Sequence, residues 1–238
     1  MEIVDEGPPS AARIRERHER LLGRLRASAE AGGHDPARLR IVAVTKTWPL
    51  EVARAALDAR LTLLGESRVQ EAEPKVAALP EAEWHMVGRL QSNKARRAAR
   101  AFAVIHSVDS VELLRRLDSA AAEEGTRPRL LLQVNLTGTE TTAGLRPDDA
   151  TGPKVPAALT DLRAARVIGL MTIAPLGASP DEARATFAGL RALRDRLRER
   201  SGVELEELSM GMSADADAAA AEGATLVRIG TALFGPRA

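Results

Sequence analysis

Eight times along this chain a short apolar run, often β-branched, is followed by a segment with helical spacing. The strand-like runs are Arg40–Thr45, Leu61–Gly65, Trp84–Val87, Ala103–His106, Arg129–Asn135, Arg166–Thr172, Glu204–Ser209 and Thr225–Ile229. The helical segments between them are Leu50–Ala59, Val69–Leu79, Asn93–Ala101, Val111–Glu124, Val155–Arg163, Pro180–Arg200 and Asp215–Glu222, with the terminal turn as the eighth. Alternation of this kind demands a parallel sheet with right-handed crossovers. Eight units in 238 residues match the size of a closed (β/α)8 TIM-type barrel. An open doubly wound sheet would carry a glycine-rich turn after its first strand. This chain has Thr45-Lys46-Thr47-Trp48-Pro49 there, which favours the barrel. No Pro/Gly/Ser-rich linker divides it, so one α/β domain is expected over residues 10–238, after a frayed tail at 1–9. An extra amphipathic helix precedes the first strand, with Ile14, His18, Leu21, Leu22 and Leu25 on one stripe and Gly32-Gly33 as its stop.

Composition removes several function classes. Lys plus Arg is 34 against 33 Asp plus Glu, so no overall positive field draws in nucleic acid or an anionic membrane. The arginines of the first helix lie mostly off its apolar stripe and read as a solvated face. There are no cysteines, which rules out disulfides, thiolate nucleophiles and cysteine-held metals. There are no tyrosines, hence no phenolic acid or base. The acidic start of the chain does not resemble a signal peptide, and no apolar stretch approaches about 20 residues, so a cytoplasmic protein is expected.

In such a barrel, chemistry sits at the carboxyl ends of the strands. The first strand ends in Lys46, whose stem starts within the barrel mouth. Either it reaches solvent or a carboxylate, or it is a neutral amine kept for Schiff-base formation with an aldehyde. Ser209-Met210-Gly211-Met212-Ser213 follows strand seven and Gly230-Thr231 follows strand eight. These loops are where barrels bind phosphate, on backbone N–H groups and a helix dipole. Ser213 also suits the N-cap of the next helix, with Asp215 and Asp217 in its first turn. Arg228, two residues before Gly230, shares its face and points inward. It needs an acceptor, either a buried carboxylate or a ligand atom. A lysine, phosphate loops and an inward arginine together fit pyridoxal 5′-phosphate, which has an aldehyde, a phosphate and a ring nitrogen.

The segments AVTKTWP, LLGESRVQEAEPKV, WHMVGRLQSNK, IHSVDS, QVNLTGTETTAGL, GLMTIAP and LSMGMSADADAAAAEGATLVRIGTALFG resemble, in order, the pyridoxal phosphate homeostasis protein family. That family in turn resembles the N-terminal barrel of alanine racemase. The resemblance implies that Lys46 carries the cofactor as an internal aldimine. It implies that Ser213, Gly230 and Thr231 hold the phosphate with Ser209 nearby, and that Arg228 faces the pyridine nitrogen. Ser67, His85, Asn135 and Met171 would line the rest of the pocket. Two positions depart from the family pattern: Ser67 stands where an asparagine is usual, and Thr142 where a lysine is frequent.

An arginine at the ring nitrogen cannot accept a hydrogen bond, so the ring stays unprotonated and is a poor electron sink. That disfavours transamination and decarboxylation, whereas a racemase can live with it; a two-base racemase, however, needs a base across the cofactor, which in alanine racemase is a tyrosine from a second domain. The expected function is therefore cofactor binding and delivery to apo-enzymes, by a monomer that contacts neither nucleic acid nor membrane, without catalysis. The competing expectation is a pyridoxal phosphate-dependent racemase that uses His85 or Lys94 as a base.

Overall fold

The apolar runs become strands because each is buried on both faces, toward the barrel interior and toward the helices. The computed structural model describes residues 8–139 and 142–236. Its strands are β1 Arg40–Val44, β2 Leu63–Glu66, β3 Glu83–Met86, β4 Val104–Val108, β5 Arg129–Gln133, β6 Arg166–Met171, β7 Glu207–Ser209 and β8 Leu226–Ile229. They close into a parallel barrel in chain order, with β8 returning to β1 through the pairs Val42–Arg228 and Ala43–Ile229. Most of the expected tail, residues 1–7, lies outside the described residues.

The helices are α1 Ala11–Ala31, α2 Leu50–Asp58, α3 Val69–Ala78, α4 Ala95–Ala101, α5 Val111–Glu124, α6 Pro147–Thr151, α7 Lys154–Thr160, α8 Pro180–Ser201, α9 Ala216–Ala221 and α10 Thr231–Phe234. The extra helix α1 is present. It buries Ile14, Leu21, Leu25 and Ala29 and packs beside α9, α2 and α10. Its Gly32 has no room for a side chain, since a Cβ there would stand 2.1 Å from the carbonyl oxygen of Ala221. Helix α8 starts in a complete capping box, Ser179 with Glu182, with Pro180 in the first turn.

Three boundaries depart from the sequence reading. Helix α6 falls inside what reads as a long loop, because PDDAT has no apolar repeat and buries only Ala150. The segment read as Val155–Arg163 is helical only over Lys154–Thr160. Strand β7 is three residues long, because its pairing with β6 begins only at Glu207 opposite Gly169.

The core has two main parts, beside a small alanine cluster of Ala99, Ala120 and Ala121. A large one lies between barrel and helices, and a small one, Val104, Leu131, Ile168 and Met171, fills part of the interior. Val42, Val44 and Leu226 are also buried on the inward face, and the polar groups that stand among them lead to the site.

Candidate functional site

Just after β1, Thr45 turns outward and Lys46 follows it at the carboxyl end of the strand. Thr45 is fully buried, and its hydroxyl donates to Glu66 Oε1 at 2.7 Å, on the outer face of the barrel. Lys75 of α3 donates to the same carboxylate oxygen at 2.6 Å and to the carbonyl of Thr45 at 3.0 Å. A buried ion pair thus pins the peptide just before Lys46 from behind. The next residue, Thr47, has φ 65°, in the left-handed region that threonine seldom adopts. Lys46 itself is half-buried and makes no hydrogen bond or ion pair among the described residues.

On the neighbouring strand Arg228 is 5% exposed. Its Nη1 donates to Ser209 Oγ at 2.7 Å and its Nη2 to the carbonyl of Thr172 at 2.9 Å. No carboxylate pairs with it among the described residues. Burial pulls its pKa down to about 10, opposed by the charge of Asp215, so it remains a cation at neutral pH. A buried guanidinium with two neutral acceptors and no counter-ion leaves N–H donors for something else.

The loops after β7 and β8 meet. Ser213 Oγ accepts from the N–H of Ala232 at 3.4 Å, in the first turn of α10, and the N–H of Arg228 donates to the carbonyl of Gly211 at 3.0 Å. Gly230 lies against β1, where an added Cβ would stand 3.4 Å from the carbonyl oxygen of Val44. Ser213 does not cap α9. Asp215 holds the N-cap position and accepts from the N–H of Met212, while Asp217 occupies the first turn as expected. The Ser213 hydroxyl therefore faces the β8 loop. Lys46, Ser209, Ser213, Arg228, Gly230 and Thr231 thus stand in or just after three consecutive strands of the closed sheet, β7, β8 and β1.

The other expected residues have distinct places. Met171 is packed in the interior cluster below the mouth. Ser67 is half-buried and borders a cleft of about 870 Å³ with Arg68, Gly88, Lys94 and Asp109. Gly88 lets the two loops touch there, since a Cβ would stand 2.3 Å from the carbonyl oxygen of Ser67. Asn135 organises its own loop. Its amide nitrogen donates to the carbonyls of Thr139 and Thr142, and its oxygen accepts from the N–H and hydroxyl of Thr137. Thr142, at the second departure from the family pattern, serves that loop too.

His85 is 1% exposed, and both of its ring nitrogens are engaged, Nε2 by Glu83 at 3.0 Å and Nδ1 by His106 Nε2 at 2.8 Å. The sequence reading leaves out His106, whose Nδ1 meets Ser209 Oγ at 2.8 Å. The signal lay in the register. His85 pairs with Val104, so His106 stands on the same inward face one layer higher.

The barrel with a free lysine on β1 and an unpaired arginine on β8 has a known counterpart. The family described as "Alanine racemase, N-terminal domain" matches residues 27–238. Within that class the chain belongs to the pyridoxal phosphate homeostasis protein family. The member from Synechocystis is 42% identical over 205 residues, covering 85% of this chain and 93% of its own. The one from Pseudomonas aeruginosa is 41% identical over 227 residues, covering 94% and 96%. The solved structure of PipY from Synechococcus elongatus with PLP bound superposes at a TM-score of 0.82, with 42% identity, over 93% of this chain and all of that one, 100%. An alanine racemase from Clostridium difficile shares the fold at a TM-score of 0.65 and 16% identity, with 53% of its chain covered. No helix among the described residues is long and apolar enough to cross a membrane.

Proposed function

We propose that this protein binds pyridoxal 5′-phosphate at the mouth formed by β7, β8 and β1, and holds it for delivery to apo-enzymes without turning over a substrate. The observation that carries this reading is Arg228, a buried cation without a carboxylate partner among the described residues, on the strand paired with the one that leads into Lys46. The donor set fits the group: an amine for the aldehyde, a guanidinium for the ring nitrogen, and hydroxyls with backbone N–H groups for the phosphate. When bound, the cofactor supplies an electrophilic carbonyl and a conjugated ring.

Each side chain has a separable task. Lys46 Nζ, which has no competing partner, would hold the cofactor covalently through its aldehyde carbon. Ser213, the Gly230 backbone and Thr231 would hold the phosphate. Arg228 would donate to the ring nitrogen and keep a proton off it, because a guanidinium has no lone pair to accept one. An unprotonated ring draws electrons weakly, which disfavours transamination and decarboxylation but leaves racemisation open on this ground. A racemase would also need a second base. Tyrosine is absent from the chain, and both ring nitrogens of His85 are committed deep in the barrel.

The test is a titration of the purified chain with pyridoxal phosphate, followed by incubation with alanine, serine and glutamate in deuterium oxide. A saturable absorption band, no α-deuteration, and transfer of the cofactor to an added apo-enzyme are expected. Steady turnover of any of the amino acids, lost in Lys46→Ala, would overturn the non-catalytic reading and favour a racemase.

A further inference from the structure

A file of hydrogen bonds runs up the barrel interior and ends on Arg228. It passes from Glu83 Oε1 to His85, from His85 to His106, from His106 to Ser209 Oγ, and from there to Arg228 Nη1, with spacings of 3.0, 2.8, 2.8 and 2.7 Å. His85, His106 and Ser209 are at most 1% exposed. The foot of the file, Glu83, is tied to Arg129 at 2.6 Å and sits at the start of β3, at the opposite mouth of the barrel from Lys46.

Proton counting leaves one arrangement. The His85 hydrogen bond and the Arg129 guanidinium hold Glu83 down to about 2 against the cost of its burial, so it is an ion and can only accept. His85 Nε2 therefore carries a hydrogen. Burial, opposed by Glu83, lowers the pKa of His85, and burial beside His85 and Arg228 lowers that of His106 well below its ordinary value. A neutral His85 has a bare Nδ1, so His106 Nε2 must carry the hydrogen of the contact between them. A neutral His106 then has a bare Nδ1, and the single hydrogen of Ser209 must point to it. That leaves the Ser209 oxygen lone pairs for Arg228, which can only donate. Every hydrogen in the file points from Arg228 toward Glu83.

We propose that Ser209, His106, His85 and Glu83 are positioning residues for Arg228, a one-way hydrogen-bond relay that aims its guanidinium at the ligand and brings to it, at a distance, the carboxylate it lacks nearby. Only the identity of that ligand, the ring nitrogen of pyridoxal phosphate, rests on the function proposed above. A carboxylate touching Arg228 directly would compete with the ligand for its donors. A carboxylate three side chains away polarises Ser209 without occupying them. The charged groups that act on the file are Glu83, Arg129, Arg40 and Arg228, with Asp215 acting on Arg228.

The test is 15N NMR of the whole chain labelled at its histidine rings, with His18 and His34 assigned by substitution. His85 and His106 should both be neutral at pH 7 and carry the hydrogen on Nε2, with or without pyridoxal phosphate. An Nδ1–H tautomer or an imidazolium at either position overturns the relay, whatever the protein binds. The second arm uses Glu83→Gln, whose amide can donate to His85 Nε2 and so permits the reverse arrangement. In the folded variant the His106 signals should become a mixture of tautomers, and affinity for pyridoxal phosphate should fall about tenfold, the scale of one hydrogen bond to a charged group. Unchanged His106 signals, or unchanged affinity with a shifted absorption band absent, overturns the relay. Ser209→Ala is the backup, cutting the file at its other end, and the same losses are expected. If the wild-type chain shows the stated tautomers but does not bind pyridoxal phosphate, the ligand assignment fails and the relay to Arg228 stands.

Discussion

Two buried cations flank the end of β1 and are treated in opposite ways. Lys75, on the outer face of the barrel, has a carboxylate at 2.6 Å and a backbone carbonyl at 3.0 Å. Arg228, on the inner face, has a hydroxyl and a carbonyl and no carboxylate among the described residues. A paired buried charge is neutralised where it stands, and this pair holds the peptide that precedes Lys46. An unpaired one keeps unused donors and an uncompensated field, which a ligand can satisfy. The counter-ion therefore separates the structural cation from the binding one, although both read as buried basic residues.

Lys46→Ala should have the largest effect. The covalent pyridoxal phosphate band should vanish entirely while the urea midpoint stays near wild type, because a half-buried side chain without partners holds nothing together. A retained band would mean that another amine forms the bond.

The comparison itself is tested by Lys75→Met against Arg228→Met. Removing Lys75 strands the buried Glu66 carboxylate and should cost about 3–5 kcal/mol of stability by urea unfolding. In Arg228→Met, two lost hydrogen bonds are offset by relief of a lone buried charge, for a net of about 1 kcal/mol or less, while cofactor affinity drops at least tenfold. Equal losses of stability in the two variants would erase the distinction.

Ser213→Ala combined with Thr231→Ala should weaken pyridoxal phosphate binding by roughly one to several orders of magnitude, since each hydrogen bond to a charged phosphate contributes about 1.5–3 kcal/mol. Ser213 does not cap α9 and meets α10 only through a long 3.4 Å contact from the N–H of Ala232, so the unfolding midpoint should hardly move. Normal binding by the double variant would put the phosphate elsewhere.

A smaller, graded effect follows from the buried histidines. His85 and His106 are kept neutral in the folded chain, below the ordinary 6.5. Unfolding restores that value, so below pH 6.5 the unfolded chain gains protons that the folded chain refuses. Stability should be complete above about pH 7 and decline as pH falls, at up to about 1.4 kcal/mol per pH unit for each histidine. Urea midpoints between pH 7.5 and pH 5.5 would show it, and a flat profile would mean that the two rings accept protons in the fold.

How much of this was legible depended on whether a signal was local. All eight strands showed as apolar runs, and α5 has the bounds its periodicity gave, because Ser110 caps one end and Gly125, at φ 67°, stops the other. The reading Glu204–Ser209 overruns β7 at its start because Glu204-Leu205 alternates like a strand, with Leu205 buried, whereas pairing with β6 begins only at Glu207. Lys46 and Arg228 could be found because a charge at the end of an apolar run is an anomaly in one dimension. The partners of Arg228 could not, because Ser209, Thr172, His106, His85 and Glu83 come from four other strands or their ends, and only barrel closure brings them into line. Asn135 shows the converse. The family resemblance implies a place in the pocket, but in the fold its amide is spent on the loop that follows.

The division of labour between Lys46, Lys75 and Arg228 is tested most directly by reducing the pyridoxal phosphate complex with borohydride and mapping the modified peptide by mass spectrometry. One adduct on Lys46 is predicted, with Lys75 and Lys94 unmodified. An adduct on Lys75 or Lys94 in place of Lys46, or a bound cofactor that borohydride does not fix to any lysine, would contradict it.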